Sequence, residues 1–355
     1  MAGYKADNAR LAKNTMFLYF RMIFIMAVTL YTSRVVLRVL GVEDFGIFNV
    51  VAGVVAMFGF LNSSMSATTQ RFISYSLGKG DANLNKVFST CVLTHALIAL
   101  GVLVLVESVG LWFLYNKMII PEVRMDAAFW VFQFSALSTV VTVMSIPFNA
   151  DIIAHEKMSA FAYISIVEVC LKLLIVFLLD VGNIDKLVLY GFLLLLVQCG
   201  IFLTYMGYCL RHFKESRFRF VYEKKLFSEV FSFAGWNLWG YLASILYTQG
   251  LNILLNVFFG PVVNAARGLA NQVDGAIRLF ASNFQMAINP QIVKTYAAKD
   301  LESMHRLVFR SSKFSFFLLL ALSLPVMIET PVILRLWLST VPDWTAGTSE
   351  SHSRA

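Results

Sequence analysis

The sequence predicts an all-α polytopic membrane protein of about nine spans: a six-helix N-terminal lobe and half of a repeated C-terminal lobe. Three observations predict it. Of 355 residues, 58% are hydrophobic and only 14% charged, roughly half the charge of an ordinary soluble domain. Apolar runs of about 20 residues, the length that crosses a hydrocarbon layer ~30 Å thick, recur from end to end. These runs lack the polar outer faces that helices of a large soluble protein would need.

Spans are expected at about 14–38, 44–69, 88–114, 127–149, 160–180, 187–210, 227–257, 263–289 and 312–336. The first is retained as a helix, because no small-residue cleavage site follows it. With the N-terminus taken as cytoplasmic, eighteen Lys and Arg residues fall on that side. Five fall on the other: Arg38, Lys117, Arg124, Lys186 and Arg335. The positive-inside rule therefore places the N-terminus in the cytoplasm. The net charge of +8 is explained by these loops and does not imply a nucleic-acid partner. Cys91, Cys170, Cys199 and Cys209 all fall within spans, which excludes a disulfide framework or a zinc site.

The longest charged connector, RHFKESRFRFVYEKK (211–225), follows span six and reads as a hinge. It divides the chain into an N-terminal lobe (1–210), a linker (211–226), a partial C-terminal lobe (227–340) and a polar tail (341–355). A repeat supports the division. QRFISYSLGKGDANLNKVF (70–88) aligns without gaps with QIVKTYAAKDLESMHRLVF (291–309), pairing Gln70 with Gln291 and Tyr75 with Tyr296. Span two thus corresponds to span eight in the same orientation, which implies a pseudo-two-fold axis along the membrane normal.

Ionisable groups inside spans mark candidate sites, since each costs about 3 kcal/mol or more at the bilayer centre unless paired or hydrated. On span eight, Asn264, Arg267, Asn271, Asp274, Arg278, Ser282, Gln285 and Asn289 recur at intervals of three and four, on one helical face. Span seven carries a second stripe that includes Asn252 and Asn256. Interhelical hydrogen bonding accounts for single amides and hydroxyls; two full-length stripes with an arginine in excess describe the wall of a hydrated cavity. Span one adds Arg21, deeper than the snorkelling Arg34 and Arg38. Glu168 and Lys172, at i,i+4 in span five, form a self-neutralising pair, either a structural or gating element or a substrate contact. His95 and Glu107 read as groups bound to neighbouring helices. Arg21, Arg267 and Arg278 against Asp274 make the cavity cationic and suited to phosphate or pyrophosphate.

No catalytic residue, cofactor or metal ligand is expected. LGKGD (77–81) lacks the spacing of a phosphate loop, HEKMS (155–159) lacks metal-ligand spacing, and the outer loops are too short for a glycan-enzyme active site. Pro147, Pro325 and Pro331 fall in or near spans and permit bends.

The stretches LYTSRVVLRVLGVEDFGIFNVVAGVV (30–55), IPFNADIIAHEKMSAFAYISIVE (146–168) and NAARGLANQVDGAIRLFASNFQMAINPQI (264–292) resemble the polysaccharide (O-antigen and capsule) flippases of the multidrug/oligosaccharidyl-lipid/polysaccharide exporter superfamily, in their Bacteroides-type branch. The similarity is diffuse and covers about residues 10–345. It implies two six-helix lobes around a central cavity in the bacterial inner membrane. It also implies transport of undecaprenyl-pyrophosphate-linked oligosaccharide for surface polysaccharide, with membrane lipid and polysaccharide polymerase machinery as further partners. A cation-coupled drug exporter of the same superfamily is the alternative, and would need buried acids. Family members run to 12 or more spans, so the chain is expected to be truncated, its second lobe half built and its activity in doubt.

Overall fold

A computed structural model describes residues 2–56, 58–80, 83–118, 120–179, 185–220, 223–330 and 332. It is helical, with no strand among the described residues, as the sequence predicts. The α-helices are α1 (Ala2–Ala56), α2 (Gly59–Lys79), α3 (Leu84–Leu105), α4 (Leu111–Asn116), α5 (Met125–Ala154), α6 (Met158–Leu178), α7 (Lys186–His212), α8 (Lys224–Ala297) and α9 (Leu301–Ile328). Six helical stretches are long and apolar enough to cross a membrane: 13–53, 84–116, 122–154, 158–178, 186–212 and 301–328.

Two of the long helices turn inside themselves. In α1 the break is Gly41, at φ 81° and ψ 170°, a backbone region open to glycine and strained for other residues. Before it, Val36 and Leu40 pack with Ile175, Val176 and Tyr190; after it, Ile47, Val51 and Val55 pack with Val102, Ala128 and Val131. Span two then continues through α2 to Lys79, ten residues beyond the predicted end. Straight, the 74 residues of α8 would reach about 110 Å. Yet Ser228, Ser232 and Trp236 near its start line the same cavity as Ile292, Val293 and Tyr296 near its finish. The helix therefore doubles back into two arms.

The chain thus has two ends. At one, here called the linker end, lie residues 14, 79–80, 83–86, 151–158, 211–220, 223–224 and 291–300. A core of Leu18, Ile73, Phe88, Ile152, Met158, Tyr205 and Ala287 ties α1, α2, α3, α5, α6, α7 and α8 together there. A second core, including Val106, Leu114, Val131, Phe132 and Leu187, fills the opposite end.

The linker is held at several points. Asn85 Nδ2 donates to the carbonyls of Glu215 (2.7 Å) and Arg217 (2.6 Å), and the Arg219 amide donates to Ser89 Oγ (3.1 Å). Residues 213–220 therefore ride with α3 and α5. The repeat also shows itself in space: the Tyr75 and Tyr296 rings lie 6.5 Å apart. Its register slips at the turns, because the left-handed residues that follow α2 and α8 are Gly80 (φ 64°) and Lys299 (φ 61°), 219 rather than 221 residues apart.

Candidate functional site: a polar face between two seals

Four groups of polar side chains occupy the interior and the ends of the bundle. The first gathers around α6. Lys172 Nζ donates to Glu168 Oε1 at 2.6 Å, and both are partly buried. This i,i+4 pair is the one the sequence predicts. Arg21 lies over the Phe161 ring, 4.3 Å from its centroid, within electrostatic reach of Glu168 and Tyr205. Its Nε is buried with no hydrogen-bond partner among the described residues. Arg21 is therefore turned to α6 and α7, while its neighbours Tyr19 and Met22 meet α8: Tyr19 faces Phe280 at 5.6 Å, and Asn283 Nδ2 contacts Met22 Sδ at 3.4 Å. Lys172 also lines a cavity of about 220 Å³ with Ser135, Ser138, Thr139 and Gln198. Sequence reading missed these four; the signal was hydroxyls at 135, 138 and 139 on one face of an apolar helix.

The second group is the stripe on α8. Asn271, Asp274, Arg278, Ser282, Gln285 and Asn289 are all exposed. The opposite face, Ala281, Asn283, Phe284, Ala287 and Ile288, is buried. Arg278 Nε pairs with Asp274 Oδ2 at 2.6 Å, the two side chains being 75% and 57% exposed. Arg267 is half-buried, and its Nε has no hydrogen-bond partner among the described residues. The side chains of Asn252, Asn256 and Asn264 lie outside the described residues. The structure joins Asp274 to Arg278 but brings neither to Arg21.

The third group seals the linker end. Glu156, side chain 4% exposed, accepts from Lys294 Nζ at 2.8 Å and from Gln291 Nε2 at 3.0 Å. Its carbonyl accepts from Asn14 Nδ2 at 3.3 Å, and its φ of 59° is strained for a side chain of this size. Beside it, Gly78 lies so close to α8 that a Cβ there would stand 2.4 Å from the Lys294 carbonyl oxygen. One turn back, Asp151 is fully buried; its Oδ2 accepts from Ser216 Oγ at 2.6 Å. His155 Nδ1 faces Asp151 Oδ1 at 3.2 Å and Nε2 faces Glu215 Oε1 at 2.9 Å. Burial alone would lower the His155 pKa; the hydrogen bond and charge of Asp151, with the charge of Glu215, overcome it and raise the pKa. Asp151, His155 and Glu215 have ligand atoms within 4.8 Å of one another, but the two carboxylates face opposite edges of the ring. One cation cannot bind both nitrogens, so the arrangement is that of an imidazole clamped between two carboxylates.

At the opposite end, Arg124 donates to both oxygens of Asp44 (2.9 and 2.6 Å) and to Asp185. Burial would raise the Asp185 pKa, but the Arg124 hydrogen bond and charge, with the amides of Leu187 and Val188, hold it below its ordinary value. Within the bundle, Glu107 accepts from Gln133 Nε2 at 3.0 Å, and His95 Nδ1 meets the Cys91 carbonyl at 2.7 Å. Glu107 is thus bound to a neighbouring helix, as the sequence suggests, whereas His95 bonds within its own helix and its Nε2 has no hydrogen-bond partner among the described residues.

No family model matches the sequence, and no curated protein does. Solved structures do. An outward-facing multidrug resistance MATE family transporter of the MOP superfamily superimposes with a TM-score of 0.78 at 12% identity, over 93% of this chain and 74% of that one. A MOP superfamily transporter from Pyrococcus furiosus, described as having a binding pocket of reverse polarity, gives 0.74 at 12% identity, over 93% and 75%. A Vibrio cholerae MATE transporter gives 0.71 at 16% identity, over 96% and 77%. The chain shares the MATE fold. At such identities the likeness is one of architecture, and the membrane-spanning, multi-pass character follows from it together with the apolar helices.

Proposed function

We propose that the chain is a membrane transporter working by alternating access, and that its cargo is an anionic, undecaprenyl-pyrophosphate-linked oligosaccharide crossing the bacterial inner membrane for surface polysaccharide assembly. The observation that carries this reading is the α8 stripe. From Asn271 to Asn289 one face of a helix in a membrane bundle is polar and exposed, and from Ala281 onward its back is packed. A face of that kind is stable where it borders water or a polar cargo. Charge supports an anion: Arg267 and Arg278 stand against Asp274 on α8, and Arg21 and Lys172 against Glu168 in the first group. Each group carries one excess positive charge, and arginine binds pyrophosphate oxygens in a fork geometry.

In this reading residues 1–210 form one rocking body and 227–340 belong to the other. The N-terminus and linker are cytoplasmic, by the charge bias of the loops. The Glu156–Lys294 seal then closes the cytoplasmic side. Polysaccharide polymerase machinery would take the product.

A second reading, a cation-coupled drug exporter, is favoured by the likeness to a multidrug resistance MATE family transporter. Reconstitution of the full chain in proteoliposomes separates the two. A fluorescent undecaprenyl-pyrophosphate oligosaccharide placed in one leaflet should appear in the other, and Arg278→Ala should slow it about tenfold, the worth of one charge-assisted hydrogen bond. Efflux of a lipophilic cation without movement of the pyrophosphate lipid would replace the first reading by the second. A cysteine at Arg278 should react with a small polar thiol reagent, whereas one at Phe280, against Tyr19, should not.

A further inference from the structure

At the linker end, α1, the second arm of α8 and α9 leave a groove of about 910 Å³ between them. Its walls are Met16, Tyr19 and Phe20 from α1, Phe284 from α8, and Phe314 and Phe317 from α9. Met16 is 64% exposed, Phe20 60% and Phe317 53%. Side chains this apolar, exposed on a membrane bundle, face acyl chains rather than water.

Arg310 and Lys313 line the same groove, and no acidic residue does so among the described residues. Their depth follows from the sequence of α9. Its first turns, Leu301-Glu302-Ser303-Met304-His305-Arg306, are mostly polar, and its unbroken apolar run begins at Phe316. Arg310 and Lys313 therefore sit where α9 passes from headgroups into hydrocarbon. On α1 the same boundary falls between Lys13 and Met16.

We propose that this groove holds an anionic phospholipid of the leaflet at the linker end. One acyl chain lies along Tyr19, Phe20, Phe284 and Phe317, and the phosphate is at Arg310 and Lys313. Three features converge on this occupant: an apolar-walled groove of about 910 Å³, its opening among lipid-exposed aromatics, and two cations at headgroup depth. The other cavity at this end lacks that signature. It is lined by Arg71 and Glu229 together, with Ser228 and Ser232, so its charges balance. The lipid would act as a wedge between α1 and α9, whatever the transporter carries.

The test uses the full chain in nanodiscs containing equal fractions of phosphatidylglycerol and phosphatidylcholine, released into native mass spectrometry. Phosphatidylglycerol should be retained in preference. Arg310→Gln and Lys313→Gln should each reduce its retention about fivefold, the usual worth of one basic residue at a membrane surface. Lys224→Gln, at the start of α8, should leave retention unchanged. A second measurement does not depend on charge variants: a Phe317→Trp reporter should be quenched more by bromine-tailed phosphatidylglycerol than by bromine-tailed phosphatidylcholine. Equal retention of the two lipids, or equal quenching, would overturn the proposal. So would displacement of the lipid by inorganic phosphate alone, which would make this a phosphate site, or a dimer mass with no bound lipid, which would assign the groove to a second copy.

Discussion

The two ends of the bundle are both closed by ion clusters, but the clusters join different things. At the opposite end Arg124 gathers Asp44 and Asp185, so it fastens the entries to spans two, four and six to one another. All three belong to the first six spans. At the linker end Glu156 reaches across to Lys294 and Gln291 at the close of α8, which belongs to the later spans. One cluster makes the first six spans a unit; the other holds that unit against the next. Burial differs in the same sense. Glu156 keeps 4% of its side chain exposed and Lys294 24%, whereas Arg124, Asp44 and Asp185 keep 22%, 20% and 36%. The strained backbone at Glu156 adds to the contrast, since a residue held at φ 59° needs its surroundings to keep it there. Under the alternating access proposed above, a bond between the two bodies has to be strong when made and wholly breakable; a bond within one body only has to last.

The largest effect is therefore expected at Glu156. Glu156→Gln keeps the shape and removes the charge, leaving Lys294 without its counter-ion. Breaking a buried pair in this way costs ~3–5 kcal/mol; with Lys294 a quarter exposed, about 2–3 kcal/mol is expected here. Spin labels at Arg211 and Lys299, both exposed at the linker end, should show a longer and broader distance distribution. Gly78→Leu should act alike with the ion pair intact, because its Cβ meets backbone of α8 rather than a side chain able to rotate away. If both variants keep the wild-type distance, the linker-end cluster does not hold the halves together.

Arg124→Met sharpens the comparison. It leaves Asp44 and Asp185 unpaired at a partly wet site, so the loss should be modest, about 1–2 kcal/mol. It should appear as a lower unfolding midpoint in detergent. The Arg211–Lys299 distance should not change, since no bond between the two parts is touched. A shifted distance would mean that the clusters at the two ends are coupled.

Much of this architecture was legible in the sequence, and the boundary of legibility is physical. Spans are written in local hydropathy, and the Glu168–Lys172 pair in the geometry of one helical turn, so both could be read. The repeat paired Tyr75 with Tyr296, and the structure sets those rings beside each other, 6.5 Å apart and tilted by 40°. The two-residue slip at Gly80 and Lys299 escaped, because a gapless alignment cannot see where a helix stops. The seal was invisible for another reason. Glu156 and Lys294 are 138 residues apart, and each reads by itself as an ordinary loop charge. Arg21 was assigned to the same cavity as the α8 stripe because span one carries it at depth, but which neighbour it turns to depends on the rotation of α1. Leu18, in the core beside Ile152 and Met158, and Tyr19, against Phe280, fix that rotation, and neither contact is local.

The smallest expected effect separates the linker from the seal beside it. His155 sits between Asp151 and Glu215, with the Phe213 ring stacked on it at 3.9 Å; Asp151 in turn holds Ser216. These are the charged groups that face the imidazole, both are acids, and its pKa is raised. A group whose folded pKa lies above its unfolded value stabilises the folded state fully below the unfolded pKa, ~6.5 for histidine. That contribution is lost as pH rises through the folded pKa. Docking of residues 213–220 should therefore weaken as the medium becomes alkaline. Hydrogen exchange at the Arg219 amide, which donates to Ser89, reports it once corrected for the intrinsic pH dependence of exchange. Protection should fall a few-fold from pH 6 towards alkaline pH in the wild type and stay level in His155→Gln. The Arg211–Lys299 distance should hold through the same range, because His155 takes no part in the Glu156–Lys294 contact. A linker that stays equally protected would show the clamp to be neutral imidazole held by packing on Phe213. A distance that moves with the linker would mean that the linker and the seal open together, and that the part bounded by α1 and α7 does not end where the sequence divides it.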